Sequence, residues 1–492
     1  MPDVATTYGL LSLIPPLTAI GLALVTRQVF LSLFIGIWLG FVILSGGNPV
    51  AGSFATLDGF VAVFADAGNT RIILFTLVVG ALIGLIQYSG GVQGFVNRLL
   101  VWLESSAAKA DQRGQRKRVE LLALATGMIL FIESNISILT VGTLYRPVFD
   151  KLSIPREKLA YITDSSSAPS CILIPFNAWG AFIAGLLLAQ GLENPFGVVL
   201  GTIVFNVYPW LVILTLLWVI LSGRDIGEMR LAEARAAESG ALLRGGAQPM
   251  MGGEISELAP KSGVPVKARN MILPITLMVV LMPTFLIMTG WETGGGDVLT
   301  ALQSGSGSKA VLYATSFACA FAMILYKLSG HFGIRDMFDL SLKSMSGMVP
   351  LAILMVLAFV LGHLCRELGT GLYVAGSVQG LVSPIFIPAM IFLTACFVAF
   401  ATGTSWGTFA IMIAIAVPLA QTLGLNITLC IAAALGGGVF GDHCSPTSDT
   451  SIITSMATAS DHIDHIRTQI PYALIGGGVT TLIYVILGAV LT

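Results

Sequence analysis

Long apolar stretches alternate with short polar ones along nearly the whole chain, and they fall into two sets of six. The stretches lie near residues 9–25, 29–45, 72–90, 119–145, 159–190, 197–222, 270–290, 309–326, 344–363, 383–424, 427–458 and 468–491. A helix needs about 20 apolar residues to cross a bilayer, where only helices and closed barrels satisfy their backbone groups. The pattern therefore predicts an all-α polytopic membrane protein.

A charged, glycine-rich interval at residues 223–269 separates the two sets. Its basic residues are Arg224, Arg230, Arg235, Arg244, Lys261, Lys267 and Arg269. Because such a segment buries little apolar surface, and because positive charge favours the cytoplasmic side, we interpret it as a flexible cytoplasmic connector. The chain is thus expected to comprise an N-terminal membrane repeat over 1–222, this linker, and a C-terminal membrane repeat over 270–492.

Basic residues flank the apolar stretch 119–145 on both sides. They are Lys109, Arg113, Arg116, Lys117 and Arg118 before it, and Arg146, Lys151, Arg156 and Lys158 after it. Positive charge on both flanks places both ends in the cytoplasm, and about 27 residues are too few for two crossings. The pattern predicts a re-entrant hairpin with its tip at Glu133-Ser134-Asn135.

The stretch 383–424 has a polar centre at Thr402–Trp406 and few positive charges near its ends. By the same rule it starts and ends outside, which predicts a second hairpin that enters from the opposite side. After each hairpin comes an apolar segment with a polar cluster, Thr163–Pro169 in one half and Gly441–Thr450 in the other. Since proline breaks the helical ladder and a carboxylate at bilayer depth normally faces a cavity, both segments are predicted to be discontinuous helices. The two halves then form inverted repeats.

Composition limits the functional classes. Apolar residues make up 55% of the chain and charged residues only 10%, against roughly a quarter in soluble domains. The net charge is −1 and no basic stripe occurs, so nothing indicates a nucleic-acid partner. Six scattered cysteines without ligand-like spacing predict neither a disulfide framework nor a zinc site. The start of the chain lacks a basic region, so no cleaved signal peptide is expected.

The polar elements and the residues beside them supply the oxygen ligands that a cation such as Na⁺ prefers. The candidate binding residues are Glu133, Asn135, Ser137, Asp164, Ser165, Ser166, Asn177, Thr402, Thr404, Ser405, Asp442, Ser445, Thr447 and Asp449. Among them, Asp442, Asp449 and Asp164 are the candidate Na⁺ ligands, because a carboxylate can hold either a metal ion or a proton. That competition is the simplest basis for cation–proton exchange. A single Ser or Thr can instead bond its own helix or join two helices, so a structural role stays open.

Two further clusters have alternative interpretations. The run Asp461–His465 resembles a metal cluster, but we interpret it as a solvated helix start capped by Ser460 or Asp461. In the segment Asn177–Gly180, we expect Asn177 to line the cavity, whereas Trp179 is either a gate or a packing residue.

Several motifs together resemble the NhaC-type Na⁺/H⁺ antiporter family, within the wider ion-transporter superfamily. They are Leu139–Thr143 with Arg146-Pro147, Arg156–Tyr161, Asp164-Ser165 with Ala168-Pro169, Thr402–Thr408, Gly441–Pro446, Ser448–Thr450 and Asp461–His465. The resemblance covers nearly the whole chain outside the linker. It implies two inverted repeats, a scaffold domain and a transport domain, a homodimer, and an elevator-like movement.

The first hairpin tip departs from the family pattern. The family usually carries paired aspartates and an aromatic residue before the tip asparagine, where this chain has Ile132-Glu133-Ser134-Asn135. Asn177 likewise stands where a small hydroxyl residue is expected. Because related transporters exchange organic acids or amino acids together with Na⁺ and H⁺, the departure leaves the substrate open.

Three functional hypotheses follow. The leading one is a Na⁺/H⁺ antiporter of the bacterial inner membrane, surrounded by lipid, without enzymatic activity or cofactor and driven by ion gradients, since no phosphate-binding glycine loop occurs. The second keeps the fold but carries a small organic acid or amino acid with Na⁺ or H⁺. The third is an intramembrane aspartyl protease, which needs two carboxylates sharing a proton, but Gly438–Asp442 lacks the Gly-x-Gly-Asp spacing. A channel is also possible, although inverted breaks favour alternating access.

Overall fold

The structure, a computed structural model, describes residues 8–26, 28–95, 97–98, 112–131, 133–249, 263–292, 297–298, 301, 305–330, 332–378 and 382–491. Over these residues the secondary structure is helical, apart from one isolated bridge between Pro249 and Asp461. Nine of the described helices are long and apolar enough to cross a membrane, or up to eleven spans if two bent pairs each count as one. The predicted all-α membrane class is confirmed. Lys109, Ile132 and Lys261, used in the sequence arguments, lie outside the described residues.

The helices of the first half and the linker are 11 to 22 residues long. They are α1 (Ile14–Thr26), α2 (Val29–Leu44), α3 (Pro49–Ala65), α4 (Ala67–Tyr88), α5 (Gln112–Ile129), α6 (Ser134–Lys151), α7 (Arg156–Leu173), α8 (Ala178–Ala189), α9 (Pro195–Phe205), α10 (Val207–Ser222) and α11 (Gly227–Ser239).

The second half continues this numbering. Its helices are α12 (Arg269–Glu292), α13 (Gly307–Leu328), α14 (Ile334–Ser346), α15 (Val349–Glu367), α16 (Thr370–Val378), α17 (Ile387–Thr402), α18 (Ser405–Leu423), α19 (Ile427–Cys444), α20 (Asp449–Thr458) and α21 (His462–Leu491). Helix α19 packs along α17 and α18, and α20 packs against α6, α7 and α21. The end of α19, helix α20 and the first turns of α21 therefore meet beside the middle of α7.

Both predicted hairpin tips coincide with helix breaks. Helix α5 ends at Ile129 and α6 begins at Ser134, while α17 and α18 are separated by Gly403 and Thr404. Gly403 has a φ of +68°, and a Cβ there would lie 2.5 Å from the carbonyl oxygen of Thr447. Only glycine fits this left-handed position without strain, so the second tip can press against the break between α19 and α20. That the two hairpins enter from opposite sides stays a prediction.

The predicted break at Thr163–Pro169 is wrong in position. Helix α7 runs through Pro169 to Leu173, and the chain bends by 45° only between α7 and α8. A proline removes a single N–H, whereas the later break leaves several carbonyls without helical partners. Asn177 satisfies them: its Nδ2 lies 2.7 Å from the Cys171 oxygen and 2.8 Å from the Ile174 oxygen, and its Oδ1 accepts from the N–H of Gly180. The cap, rather than the proline, places the break.

The break predicted around Pro446 is confirmed. Helix α19 ends at Cys444, and α20 begins at Asp449. The Ser448 side chain accepts from the N–H of Ser451, so it caps α20. Asp461 caps the start of α21 as predicted, because its Oδ1 accepts from the N–H groups of Ile463 and Asp464. The expectation that this run is solvated is wrong for Asp464 and His465, which are 6% and 0% exposed.

The expectation of a flexible linker is wrong for residues 223–249, which we call the strap. The strap contains α11, whose Met229, Ala232 and Ala236 are buried. These three residues recur at helical spacing and form a modest apolar face. Together with ion pairs, this face is enough to hold α11 against the rest of the protein. Arg235 donates to both carboxylate oxygens of Glu157, at 2.8 and 3.0 Å. The strap is therefore packed against the start of α7.

The strap also binds the start of α21. Arg244 Nε lies 3.1 Å from both carboxylate oxygens of Asp464, and the N–H of Gln248 donates to Asp461 Oδ2 at 2.8 Å. Partial burial raises the pKa of Asp461, but the N–H groups of Gln248, Asp464 and Ile463 outweigh it and bring this pKa below its usual value. The strap thus joins the starts of α7 and α21.

A buried ion pair anchors the strap, and its loss should be costly. Lys158 Nζ lies 2.5 Å from Asp225 Oδ1, and the two side chains are only 2% and 7% exposed. We expect Lys158→Met to lower the free energy of unfolding by about 3 kcal/mol, because Asp225 keeps a buried charge without its partner. Thermal unfolding in detergent would measure the loss.

Two variants control this prediction. Lys158→Met/Asp225→Leu removes both charges and should recover most of the lost stability. Arg335→Met breaks an exposed pair with Asp339 and should change stability by less than about 0.5 kcal/mol. An equal loss in Lys158→Met and Arg335→Met would contradict the anchoring role.

Candidate functional site

Asp442 lies buried at the end of α19, between the starts of two other helices. Its carboxylate accepts from Ser448 Oγ at 2.6 Å and from Ser405 Oγ at 3.2 Å. Ser405 begins α18 and Ser448 caps α20, so the positive ends of both helices stabilise negative charge here. The residue itself is 2% exposed. The break at Pro446 brings the Ser448 hydroxyl to the carboxylate, and the second hairpin tip brings that of Ser405.

Asp164 is a second buried carboxylate, in the middle of α7. Its Oδ2 accepts from Gln469 Nε2 at 2.6 Å and from Ser451 Oγ at 3.3 Å, and His465 Nε2 lies 3.5 Å away. Its Oδ1 has no hydrogen-bond partner within the described part of the chain. A buried carboxylate oxygen without a donor is costly, so Asp164 is suited to take up a proton or a cation there.

The first turn of α20 links the two carboxylates. Ser448 donates to Asp442 and accepts from the N–H of Ser451, whose hydroxyl donates to Asp164. A second link runs through Gln469, which donates to both Asp164 and the carbonyl oxygen of His443, the neighbour of Asp442. A change of charge at one carboxylate therefore reaches the other through few hydrogen bonds.

Sequence reasoning missed His465 and Gln469 as partners of Asp164. Both residues, with Tyr472, recur at positions i, i+4 and i+7 of α21, so they lie on one face. Tyr472 stacks on Tyr161 of α7, with 4.6 Å between ring centroids. Buried polar residues at helical spacing in an apolar span were the available signal, but the run was interpreted only as a helix start. Ser448 and Ser451 were also missed, although Ser448 lies within the predicted polar cluster Gly441–Thr450.

Several other predicted site residues make local contacts. Ser445 and Thr447 hydrogen-bond each other at 2.9 Å, Thr402 donates to Val398 O, and Ser166 donates to Thr163 O. These contacts stabilise the breaks and helices that hold the carboxylates.

The remaining candidates lie at different distances from the two carboxylates. Ser165 lines a small cavity of about 10 Å³ with His443 and Gln469, a volume that suits a single water molecule. Thr404 caps α18 without a side-chain hydrogen bond, and its carbonyl oxygen accepts from Thr408. Asp449 is exposed in the first turn of α20. Its negative charge is nevertheless close enough to repel that of Asp442.

The first hairpin tip does not face the two linked carboxylates. Glu133 and Asn135 line a separate cavity of about 300 Å³ between α4, α6 and α14. Ser137, one turn further, donates to the carbonyl oxygen of Gly127 at 3.0 Å. Thus three of the four predicted polar elements converge on the linked carboxylates, and the tip at Glu133 borders a cavity of its own.

Buried and partly buried aromatic rings join the two halves beside the site. Trp179 lies 5.1 Å from Trp406 between ring centroids, and Trp406 lies 5.0 Å from Phe182. Trp179 is 1% exposed and so packs in the interior, while its role as a gate stays a prediction.

Comparison with known proteins shows that the chain is similar to transporters. A model of the Na⁺/H⁺ antiporter family matches residues 181–489. An uncharacterised protein of Haemophilus influenzae is 31% identical over 497 residues, covering 97% of this chain and 90% of that protein. A malate-2H⁺/Na⁺-lactate antiporter of Bacillus subtilis is 31% identical over 108 residues, covering 21% of this chain and 23% of that protein.

A solved structure shares the fold. The YdaH transporter of Alcanivorax borkumensis aligns with a TM-score of 0.56 at 12% identity, covering 89% of this chain and 88% of that chain. At this identity the likeness concerns the fold alone.

Proposed function

The chain belongs to the Na⁺/H⁺ antiporter family, and we propose that it exchanges Na⁺ for protons across the bacterial inner membrane. It is an integral membrane protein and a secondary transporter. The resemblance seen in its motifs is thereby confirmed at the level of the family. Na⁺ as the cation, the inner membrane and a homodimeric, elevator-like transporter belong to the proposal.

The observation that carries this proposal is the buried Asp442 carboxylate at the meeting point of three helix ends. Carboxylate and hydroxyl oxygens are the ligands that Na⁺ prefers, and Ser405 and Ser448 already contact both oxygens of Asp442. The C-terminal end of α19 adds backbone carbonyls, which coordinate cations in discontinuous helices. Without a cation the buried charge is costly, so either Na⁺ or a proton should occupy Asp442.

Asp164 supports coupling between the two ions. It is enclosed by Gln469, Ser451 and His465, with one carboxylate oxygen left without a donor among the described residues. In the proposed exchange, Na⁺ at Asp442 and a proton at Asp164 alternate. Without Na⁺, the two buried negative charges linked by α20 repel each other and favour a proton on Asp164; Na⁺ at Asp442 relieves that repulsion, so Asp164 releases the proton. Asp449 attracts cations to the surface beside the site.

A Na⁺ pulse on proteoliposomes tests the exchange. The full-length chain is reconstituted with a pH-sensitive dye in the lumen, and NaCl or choline chloride is added outside. We expect Na⁺ entering the vesicle to drive protons out, so the lumen becomes alkaline with Na⁺ and not with choline. No Na⁺-dependent pH change in vesicles that contain the protein would contradict the proposal.

A second candidate is a carrier that moves a small organic acid or amino acid with Na⁺ or H⁺. The name of the Bacillus subtilis relative, a malate-2H⁺/Na⁺-lactate antiporter, favours it, although the match spans a minor part of each chain. Uptake of labelled malate or lactate that requires a Na⁺ gradient, without Na⁺-driven proton movement in their absence, would support this candidate instead.

A further inference from the structure

The cavity of about 10 Å³ beside Ser165, which we call the tyrosine cavity, lies between α7, α10, α19 and α21. The tyrosines in its wall are Tyr161, Tyr208 and Tyr472. Ser165 follows Asp164 in the chain, and Gln469, another wall residue, donates to Asp164 Oδ2 at 2.6 Å. Gln469 Oε1 and His443 Nε2 are buried without a hydrogen-bond partner among the described residues. A space for one water molecule with unsatisfied polar atoms in its wall is where a buried water binds.

The hydroxyl of Tyr472 connects the tyrosine cavity to the strap. It donates to Asp225 Oδ1 at 3.0 Å and accepts from the N–H of Ile226, also at 3.0 Å. A phenol oxygen has one proton to donate and two lone pairs to accept with. Within the described part of the chain, one lone pair of Tyr472 therefore stays available for a further donor, and a water in the cavity is such a donor.

Polar side chains on two helices lead from the tyrosine cavity towards the strap. Lys158, Tyr161 and Ser165 recur at positions i, i+3 and i+7 of α7, so they lie on one face. Tyr161 stacks on Tyr472 of α21, with 4.6 Å between ring centroids, which fixes the Tyr472 ring beside this face. The path from Ser165 to Lys158 is thus polar along its length.

Asp225 belongs to an ion cluster that extends from this path to solvent. Lys158 Nζ lies 2.5 Å from Asp225 Oδ1 and 3.9 Å from Glu233 Oε1. Glu233 in turn pairs with Arg116, and Glu120 of α5 interacts electrostatically with the cluster. Side-chain exposure rises from 7% at Asp225 to 18% at Glu233 and 24% at Arg116. A proton that reaches Asp225 therefore has a charged, increasingly hydrated way to the surface.

We propose that Tyr472 and Asp225 conduct protons between Asp164 and the strap side of the membrane, which the charge pattern predicts to be the cytoplasm. A proton released by Asp164 passes to a water in the tyrosine cavity, and the water gives a proton to Tyr472 Oη. Tyr472 gives its own hydroxyl proton to Asp225, which releases a proton to solvent, so every group regains the protons that it started with. The reverse sequence loads Asp164.

This proton route rests on the proposed Na⁺/H⁺ exchange and deepens it, because it separates the path of the proton from that of Na⁺. A cavity that holds one water does not admit a hydrated Na⁺. A proton needs no such space, since it moves by exchange of hydrogen bonds between neighbouring oxygens.

Tyr472→Phe tests the route, because it keeps the ring that stacks on Tyr161 and removes only the hydroxyl. Two rates are measured in proteoliposomes: proton movement driven by Na⁺, and exchange of ²²Na⁺ for unlabelled Na⁺ at equal pH, which moves no net proton. We expect the first rate to fall at least roughly tenfold, as on loss of a positioned proton-transfer group, and the second to stay within about twofold. A merely structural role of the hydroxyl would lower both rates together.

Two further variants control the test. Tyr326→Phe removes a buried hydroxyl that donates to the Asn270 oxygen in α12, away from α7 and α21, and should leave both rates unchanged. Lys158→Met/Asp225→Leu removes the proton acceptor without leaving an unpaired charge, and should reproduce the selective loss of proton movement. Adding Tyr472→Phe to this double variant should cause no further loss, because both changes interrupt one route.

The outcomes separate the route from the exchange itself. Equal Na⁺-driven proton rates in Tyr472→Phe and the wild type would overturn the route and leave the proposed exchange intact. A parallel fall of both rates in Tyr472→Phe would also overturn it, since the hydroxyl would then only hold the structure. No Na⁺-driven proton movement in the wild type would overturn the proposed exchange and the route with it.

Discussion

Asp442→Asn should abolish Na⁺-driven proton movement in proteoliposomes, with a loss of at least roughly hundredfold in initial rate. The amide keeps the volume of the carboxylate and can still accept from Ser448, so the break between α19 and α20 should survive. It carries no charge, however, and it cannot exchange a proton for a cation. Removing a buried charged ligand typically costs several kcal/mol, and each 1.4 kcal/mol is tenfold in affinity.

The measurement combines the pH-sensitive dye with direct binding of ²²Na⁺ to the purified protein. Both signals should vanish in Asp442→Asn. Asp58→Asn is the matched control, because Asp58 is exposed on α3 and lies far along the chain from the site. Undiminished exchange in Asp442→Asn would exclude Asp442 as the carrier and with it the proposed mechanism.

Asp164→Asn should separate binding from coupling. Asp442 keeps its two hydroxyl donors in this variant, so ²²Na⁺ binding should persist within a few-fold of the wild type. Proton movement should fall at least roughly tenfold, because the group enclosed by Gln469, Ser451 and His465 can no longer take up a proton.

The pH dependence of Na⁺ binding distinguishes this role from a structural one. If Asp164 carries the proton, the steepness of that dependence should decrease in Asp164→Asn, whereas a merely misfolded protein would lose binding altogether. Gln469→Leu is the companion variant: it leaves the Asp164 carboxylate but removes its shortest hydrogen bond, so it should shift the dependence without flattening it. Loss of ²²Na⁺ binding in Asp164→Asn with a folded protein would place Asp164 among the cation ligands instead.

The local sequence pattern was sufficient to predict those features that depend only on neighbouring residues. Pro446 and the hydroxyls around it predicted the break between α19 and α20, and the polar run Thr402–Trp406 predicted the second hairpin tip. Asp461 was recognisable as a helix cap from its position before an apolar span. In each case the side chain acts on backbone groups within four residues, so the sequence window contains the whole interaction.

The first break shows where such reasoning stops. Pro169 looked like the point of interruption, yet α7 tolerates it and ends at Leu173, where Asn177 satisfies the freed carbonyls. Asn177 also donates to the Phe131 oxygen at 2.8 Å, and Phe131 lies just before the first hairpin tip, far from Asn177 in sequence. The cap and its distant partner decide the position of the break, and neither is visible in the proline pattern.

The strap illustrates the same limit for charged segments. Its composition predicted a flexible connector, but Glu157, Lys158 and Asp464 supply the opposite charges from helices far away in sequence. The sequence alone therefore misjudged the strap because its partners lie outside it.

The sequence by itself determined the membrane class, the number of polar elements, the family and the carboxylates at their centres. These follow from the length of apolar runs and from the cost of a charge at bilayer depth, which are properties of short segments. Only the tertiary structure decided that Gln469 and His465, some 300 residues from Asp164, enclose it. It also decided that Glu133 borders a separate cavity and does not lie beside Asp442. Contacts between distant segments depend on how the helices pack, and packing is a property of the whole chain.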